Sequence, residues 1–138
     1  TDPMRFDQTL QEVKERFGTI DVLVNHAGRG YSGAVEEGDE VAVEKLFQTN
    51  FFGPVCLIKK VLPDMRQQHA GAIINISSLG ALTCGMGAGY YSASKGALEK
   101  LSESLRKEVE PLGIKVMVVE PGLFGPVFEL PMSKARRH

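Results

Sequence analysis

Cysteine is scarce in this sequence: among 138 residues only Cys56 and Cys84 occur, and neither belongs to a C-x-x-C or related spacing. Two isolated thiols exclude a disulfide framework or a cysteine-ligated zinc site as an organising feature, and make the reducing cytoplasm the simpler home. Long apolar runs are missing as well. No window approaches the roughly 18 uninterrupted apolar residues of a membrane span, and the first residues lack the basic-then-apolar order of a signal peptide. Charge of one sign is also absent. Lys and Arg number 16 against 17 Asp and Glu, a formal net charge of -1, so no broad field draws nucleic acid or an anionic membrane. His26, His69 and His138 are scattered among different segments and predict no metal. There is no internal repeat and no low-complexity stretch. What is present is 43% hydrophobic residues, enough for one modest core and too little chain for two ordinary domains.

Asp2-Pro3 has the form of a helix start, an N-cap acceptor followed by a residue whose missing N–H costs nothing in the first turn. Phe6, Leu10, Val13 and Phe17 then lay one apolar stripe, and Gly18 is placed to end the helix in a left-handed conformation. Ile20 to Val24 reads as a buried strand stopped by the turn Asn25-His26-Ala27-Gly28. A longer helix is predicted from about Asp39 to about Gln68, with Val43, Leu46, Phe47, Ile58, Val61, Leu62 and Met65 inward. Gly53 and Pro54 interrupt it, which predicts a kink close to Asn50. A strand from Ala72 to Ser77 follows, then a Gly-rich loop from Gly80 to Gly89. A third helix runs from about Tyr90 to about Glu110 with Leu98, Leu101, Leu105 and Val109 as its stripe, and the last clear strand is Lys115 to Val119. Pro126 and Pro131 punctuate the remainder as loop with room for one short helix. Strands this apolar, alternating with helices, predict an α/β fold with a parallel sheet covered on both faces and two open edges.

Tyr91 and Lys95 stand four apart at the start of a predicted helix, so the ammonium lies one turn from the phenol. A neighbouring positive charge favours a phenolate, which suits the phenol to general acid or base work. Taken alone the pair is weak, because polar residues at this spacing also decorate solvated helix faces. Ser77 and Ser78 end a strand at the sheet edge where open α/β folds bind ligands. Ser78 can fold back across the Gly-rich loop to face Tyr91 and hydrogen-bond a carbonyl or alcohol oxygen. The turns at Asn25 and at Pro121-Gly122 are expected at the same edge. Tyr90 has no lysine four residues on and reads as a packing or pocket-lining residue. Cys56 reads as a small core residue, whereas Cys84, between Ser78 and Tyr91, could face substrate. The closing Lys134 to His138 reads as a solvated basic end.

Five motifs in order carry a resemblance: Asn25-His26-Ala27-Gly28, Asn50, Ser78, Tyr91-Ser92-Ala93-Ser94-Lys95 and Pro121-Gly122. From its first residue to about Phe124 the chain resembles the short-chain dehydrogenase/reductase family. The resemblance implies a partial Rossmann-type, doubly wound sheet with three central strands and flanking helices. It also implies an oxidoreductase passing hydride between NAD or NADP and an alcohol or ketone. Tyr91 would be the acid/base, Ser78 would orient the substrate oxygen, Lys95 would hold the nicotinamide ribose, and Asn50 would anchor a proton-relaying water. Asn25, Ala27 and Gly28 would form a floor beneath the cofactor, and Pro121 and Gly122 would lie against the nicotinamide. The family's long central helix and the helix after it pack against a neighbouring subunit, which implies a homo-oligomer.

Departures are equally specific. His26 stands where the family usually has a second asparagine, and Pro126 where it often has a threonine. The glycine-rich turn that receives a pyrophosphate, with its strand and helix, has no counterpart here, nor has the residue that selects NAD over NADP. Residues 1–138 are therefore expected to form one incomplete domain, lacking about two βα units upstream of roughly 30 residues each. Two functions of different class follow: an oxidoreductase, or a catalytically silent fragment that keeps the fold and the dimer helices.

Overall fold

The computed structural model describes residues 2–121. Helix α1 spans Pro3–Phe17, with the Asp2 carboxylate accepting from the Met4 N–H at 3.0 Å and Pro3 in the first turn. Strand β1 is Val22–Asn25, helix α2 Glu40–Phe47 and helix α3 Gly53–Gln68, with a π turn at Gln48–Phe52 between the two helices. Strand β2 is Gly71–Ile76, helix α4 Gly89–Val109 and strand β3 Ile114–Val119. Every element read from the sequence within these residues is present, with ends displaced by one or two positions. The expected kink at Asn50 takes the form of the π turn. Proline 54 has no N–H for the carbonyl of Asn50, and the ladder widens so that the Gly53 N–H bonds Gln48 O.

The helix end at Gly18 differs from expectation. Its φ of 87° is positive but its ψ is −74°, and Thr19 N–H reaches Phe17 O at 3.2 Å, which is a γ-turn rather than a left-handed cap. Phe17, the last residue of the helix, keeps the azimuth of the stripe but not its cover. It is exposed, under the Arg16 guanidinium, while Phe6, Leu10 and Val13 are half-buried. Two ion pairs, Lys14–Asp64 and Lys60–Asp7, tie α1 to α3 along an exposed seam.

The strands form one parallel sheet in the order β1-β2-β3, with Leu23 beside Ile73 and Ile73 beside Val116. One core cluster joins Ile73 and Ile114 of the sheet to Ile58, Val61 and Met65 of α3 and to Leu105 and Val109 of α4. The other face does not meet the expectation of cover on both sides. Among the described residues Val22 and Val24 are each 52% exposed and Met117 58%, so β1 alternates instead of being buried throughout. The reason is topological. Right-handed crossovers that keep moving in one direction leave every connecting helix on the same side, and a second helical layer requires a reversal of strand order. The order β1-β2-β3 contains no reversal.

At Gly113 (φ 81°) a Cβ would fall 2.3 Å from His69 O, a backbone atom that cannot step aside, whereas at Gly18 (φ 87°) it would meet nothing within 4 Å. Gly18→Ala should therefore cost about 1 kcal/mol of conformational strain, and Gly113→Ala at least about twice that, because strain and overlap add. Urea unfolding midpoints of the two variants check the ranking.

Candidate active site

Parallel strands bring their carboxyl ends to one edge, and the turns after β1, β2 and β3 all leave there. The Ser77 N–H bonds Val119 O at 2.8 Å, carrying the β2–β3 ladder to the point where chemistry-bearing side chains begin. Ser78 follows in extended conformation, and its Oγ accepts from Gly80 N–H at 3.1 Å to cap the short 3₁₀ turn Leu79–Ala81.

Gly80 is the place where Ser78 and Tyr91 meet. A Cβ there would lie 3.1 Å from Tyr91 Cε1 and 3.5 Å from Ser78 Oγ, so the tyrosine ring and the serine hydroxyl flank the same bare backbone position. Lys95, one turn further along α4, is 4% exposed and donates from Nζ to Ile76 O, the last residue of β2, at 3.0 Å. Desolvation by burial pulls its pKa below 10.5. Nζ also lies 3.6 Å from where Gly28 would carry a Cβ. Ser78, Tyr91, Lys95 and Gly28 are thus gathered around the end of β2. Of its three N–H donors, the Lys95 ammonium gives one to a protein acceptor, a donor set that fits a polyhydroxylated partner such as a ribose.

Asn50 is buried completely, and its side chain grips one residue by both backbone groups: Oδ1 accepts from Arg29 N–H at 2.8 Å and Nδ2 donates to Arg29 O at 2.8 Å. Nδ2 also reaches Ser94 Oγ at 3.0 Å, and that hydroxyl donates to Tyr91 O at 2.7 Å. Asn25 is buried at the end of β1, with Ala27 and Gly28 exposed beyond it. A cavity of about 320 Å³ opens beside this turn, lined by Phe6, Val24, His26 and Leu57 among others. Pro121 is exposed at the end of the described chain, and Gly122 lies outside the described residues, as do the loop and short helix expected beyond it.

Other sequence readings resolve as follows. Cys84 is exposed and Cys56 half-buried. Tyr90 is a packing residue: its hydroxyl donates to Val35 O at 2.7 Å and its ring meets Tyr31 edge-on at 5.7 Å, stapling the segment before α2 to the start of α4. Several polar residues were missed. Asn75 interrupts the apolar run of β2, Ser94 and Ser102 sit on the inward face of α4, and Glu99 accepts from Ser77 Oγ at 2.5 Å. Their signal was present as polar residues on the apolar stripe of Leu98 and Leu105.

The family model described as short chain dehydrogenase matches residues 1–136. The chain belongs to the short-chain dehydrogenase family. The chain is 44% identical over 128 residues to a 3-ketodihydrosphingosine reductase of Bacteroides thetaiotaomicron, covering 93% of the chain and 48% of that relative. It superimposes on a short-chain dehydrogenase of Streptomyces avermitilis with a TM-score of 0.86 and 48% identity, covering 90% of this chain and 46% of the other. An NAD⁺-bound xylitol dehydrogenase follows at TM-score 0.85 and 29% identity, covering 92% and 49%. The structure named ElxO with NADP bound gives TM-score 0.83 and 31% identity, covering 88% and 49%. The chain spans about half the length of these relatives. Within the family, nicotinamide cofactors of both kinds are bound.

The buried ammonium of Lys95 makes a stability prediction. Because the folded-state pKa of Lys95 lies below 10.5, the unfolded chain holds the extra proton between the two values, and stability gains as pH rises through that window. Lys95→Met should remove this gain and raise stability at neutral pH, since it replaces a desolvated charge with an apolar chain of similar length. Denaturation midpoints of both proteins at neutral pH and near pH 10 check the sign; a variant less stable at neutral pH would contradict it.

Proposed function

We propose that this chain supplies the proton-transfer half of an NAD- or NADP-dependent oxidoreductase acting on a ketone or secondary alcohol. The observation that carries the reading is the meeting of Tyr91 and Ser78 at Gly80, beside the buried Lys95 ammonium. When bound, the nicotinamide would supply or accept the hydride. In the reducing direction, the Ser78 hydroxyl donates to the substrate carbonyl oxygen and fixes its orientation. The Tyr91 hydroxyl then gives its proton to that oxygen as hydride reaches the carbon, so one C–H and one O–H bond form. In oxidation the same phenolate takes the proton back. Lys95 holds ribose hydroxyls with its remaining donors, while at the π turn the backbone carbonyl of Asn50, to which Pro54 offers no N–H, holds the water that returns a proton to the site.

Asn25, Ala27 and Gly28 form the floor for the cofactor, with Pro121 beside it; Gly122, read with Pro121 from the family resemblance, lies outside the described residues. The name of the Bacteroides relative, a reductase of a keto compound, and that of the xylitol dehydrogenase support the alcohol–ketone class. Residues 1–138 are read as belonging to one domain of a cytoplasmic protein. Among the described residues no helix is long and apolar enough to cross a membrane. A homo-oligomer through α3 and α4 is read from the family resemblance; on the α3 side, Phe52 of the preceding π turn is 50% exposed beside a groove lined by Val55, Cys56, Lys59 and Lys60.

Titration of NADH and NADPH against the chain, followed by nicotinamide fluorescence, tests cofactor binding; flat traces at millimolar cofactor favour the silent-fragment reading. In protein that turns over, Tyr91→Phe should lower kcat by about a hundredfold or more, with cofactor affinity nearly kept. A variant retaining more than about a tenth of kcat removes the tyrosine from the acid/base role.

A further inference from the structure

Asn75 is an anomaly in physical terms. It sits at 0% exposure on the covered face of the central strand, in the same row as Ile73, where an apolar residue would avoid the cost of burying an amide. That amide is used at both ends. Its Oδ1 accepts from Asn25 Nδ2 at 2.8 Å, its Nδ2 donates to Ser102 Oγ at 2.8 Å, and Ser102 in turn donates to Leu98 O at 2.6 Å. Three buried polar side chains thus run from the end of β1, across β2, to the backbone of α4. A second path joins the same two places: Asn50 holds both backbone groups of Arg29 and reaches Ser94, which bonds Tyr91 O.

The loop from Asn25 to Arg29 is therefore fastened to α4 at both of its ends. Between the two fastenings lies Gly28, facing Lys95 Nζ, while Ala27 and Gly28 are themselves exposed and have no cover to hold them. We propose that Asn75 and Ser102 are positioning residues that fix the Ala27–Gly28 floor relative to the Lys95 ammonium, setting the height of the space a cofactor ribose would enter. In its functional half this rests on the oxidoreductase reading above; the structural half stands alone.

The test uses Ser102→Ala, which deletes one hydroxyl, Ser102→Thr, which keeps it, and Leu62→Ala on α3 as a control that loosens the core away from the relay. Backbone ¹⁵N order parameters of Ala27 and Gly28 are the first readout. They should fall from the rigid range near ~0.85 to below ~0.6 in Ser102→Ala, and stay rigid in Ser102→Thr and Leu62→Ala. Unchanged values in Ser102→Ala, or an equal fall in Leu62→Ala, overturn the proposal. The second readout is the dissociation constant for whichever of NADH and NADPH the wild type binds, expected to rise about tenfold in Ser102→Ala and to return in Ser102→Thr, a shift of about 1.4 kcal/mol. Looser order parameters with unchanged affinity overturn the functional half. A wild type that binds neither cofactor sinks the oxidoreductase reading instead, and the order parameters still decide whether the relay holds the loop.

Discussion

A single hydrogen bond, from the Lys95 ammonium to the carbonyl that ends β2, is the constraint around which the rest of the site is arranged. A cation at 4% exposure with no carboxylate partner among the described residues is costly, and the dipole of the Ile76 carbonyl offsets part of that cost. The helix that carries it must therefore approach the sheet closely and in one register. Leu98, Leu105 and Val109 provide the apolar half of that contact and Ser94, Glu99 and Ser102 the polar half. Every group of the site not on α4 is referred to it: Ser78 through Gly80, Arg29 through Asn50, Asn25 through Asn75.

The mixture of apolar and polar contacts divides the labour between stability and precision. Apolar packing tolerates small slides of a helix along a sheet, because the attraction is non-directional. Hydrogen bonds between buried groups do not, since a displaced donor leaves a desolvated acceptor at a cost of about 1–3 kcal/mol. A core made of Ile73, Ile114 and Leu105 alone would hold α4 in place; the asparagine and serine bonds determine where along the strand ends it stops.

Much of this was legible beforehand, for identifiable reasons. Periodicity located the elements because apolar residues obey the two spacings their backbones impose; Ser78 could be named because it follows a strand end, Tyr91 and Lys95 because they stand four apart at the start of a helix, and the role of Asn25 came from the family resemblance. The number of covered sheet faces was misread. An apolar strand does not state which neighbour lies on each side, and β1 carries Val22 and Val24 outward as readily as Leu23 inward. Asn75 and Ser102 were missed because a polar residue within an apolar stripe is read as noise until its partner, here 27 residues away, is known. Asn50 was placed at the interrupted helix, but that its side chain would grip Arg29 depends on tertiary folding that spacing does not encode. Phe17 shares the azimuth of Phe6, Leu10 and Val13, but at the last residue of α1 it reaches no core, which periodicity alone does not tell.

The wide turn at Gln48–Phe52 has an effect on angular phase. Leu46, Asn50, Pro54 and Ile58 stand four apart and are all buried, although in an unbroken helix each four-residue step precesses by roughly 40° about the axis. Three such steps would carry the row to a different side of the cylinder. The one expanded turn takes up that precession, so a hydrophilic side chain travels on the same azimuth as the greasy residues before and after it. The stretch acts as a vernier between two helices: its length, more than the identity of Phe51 or Phe52, decides whether an amide or a phenyl ring is presented to Arg29 and Ser94.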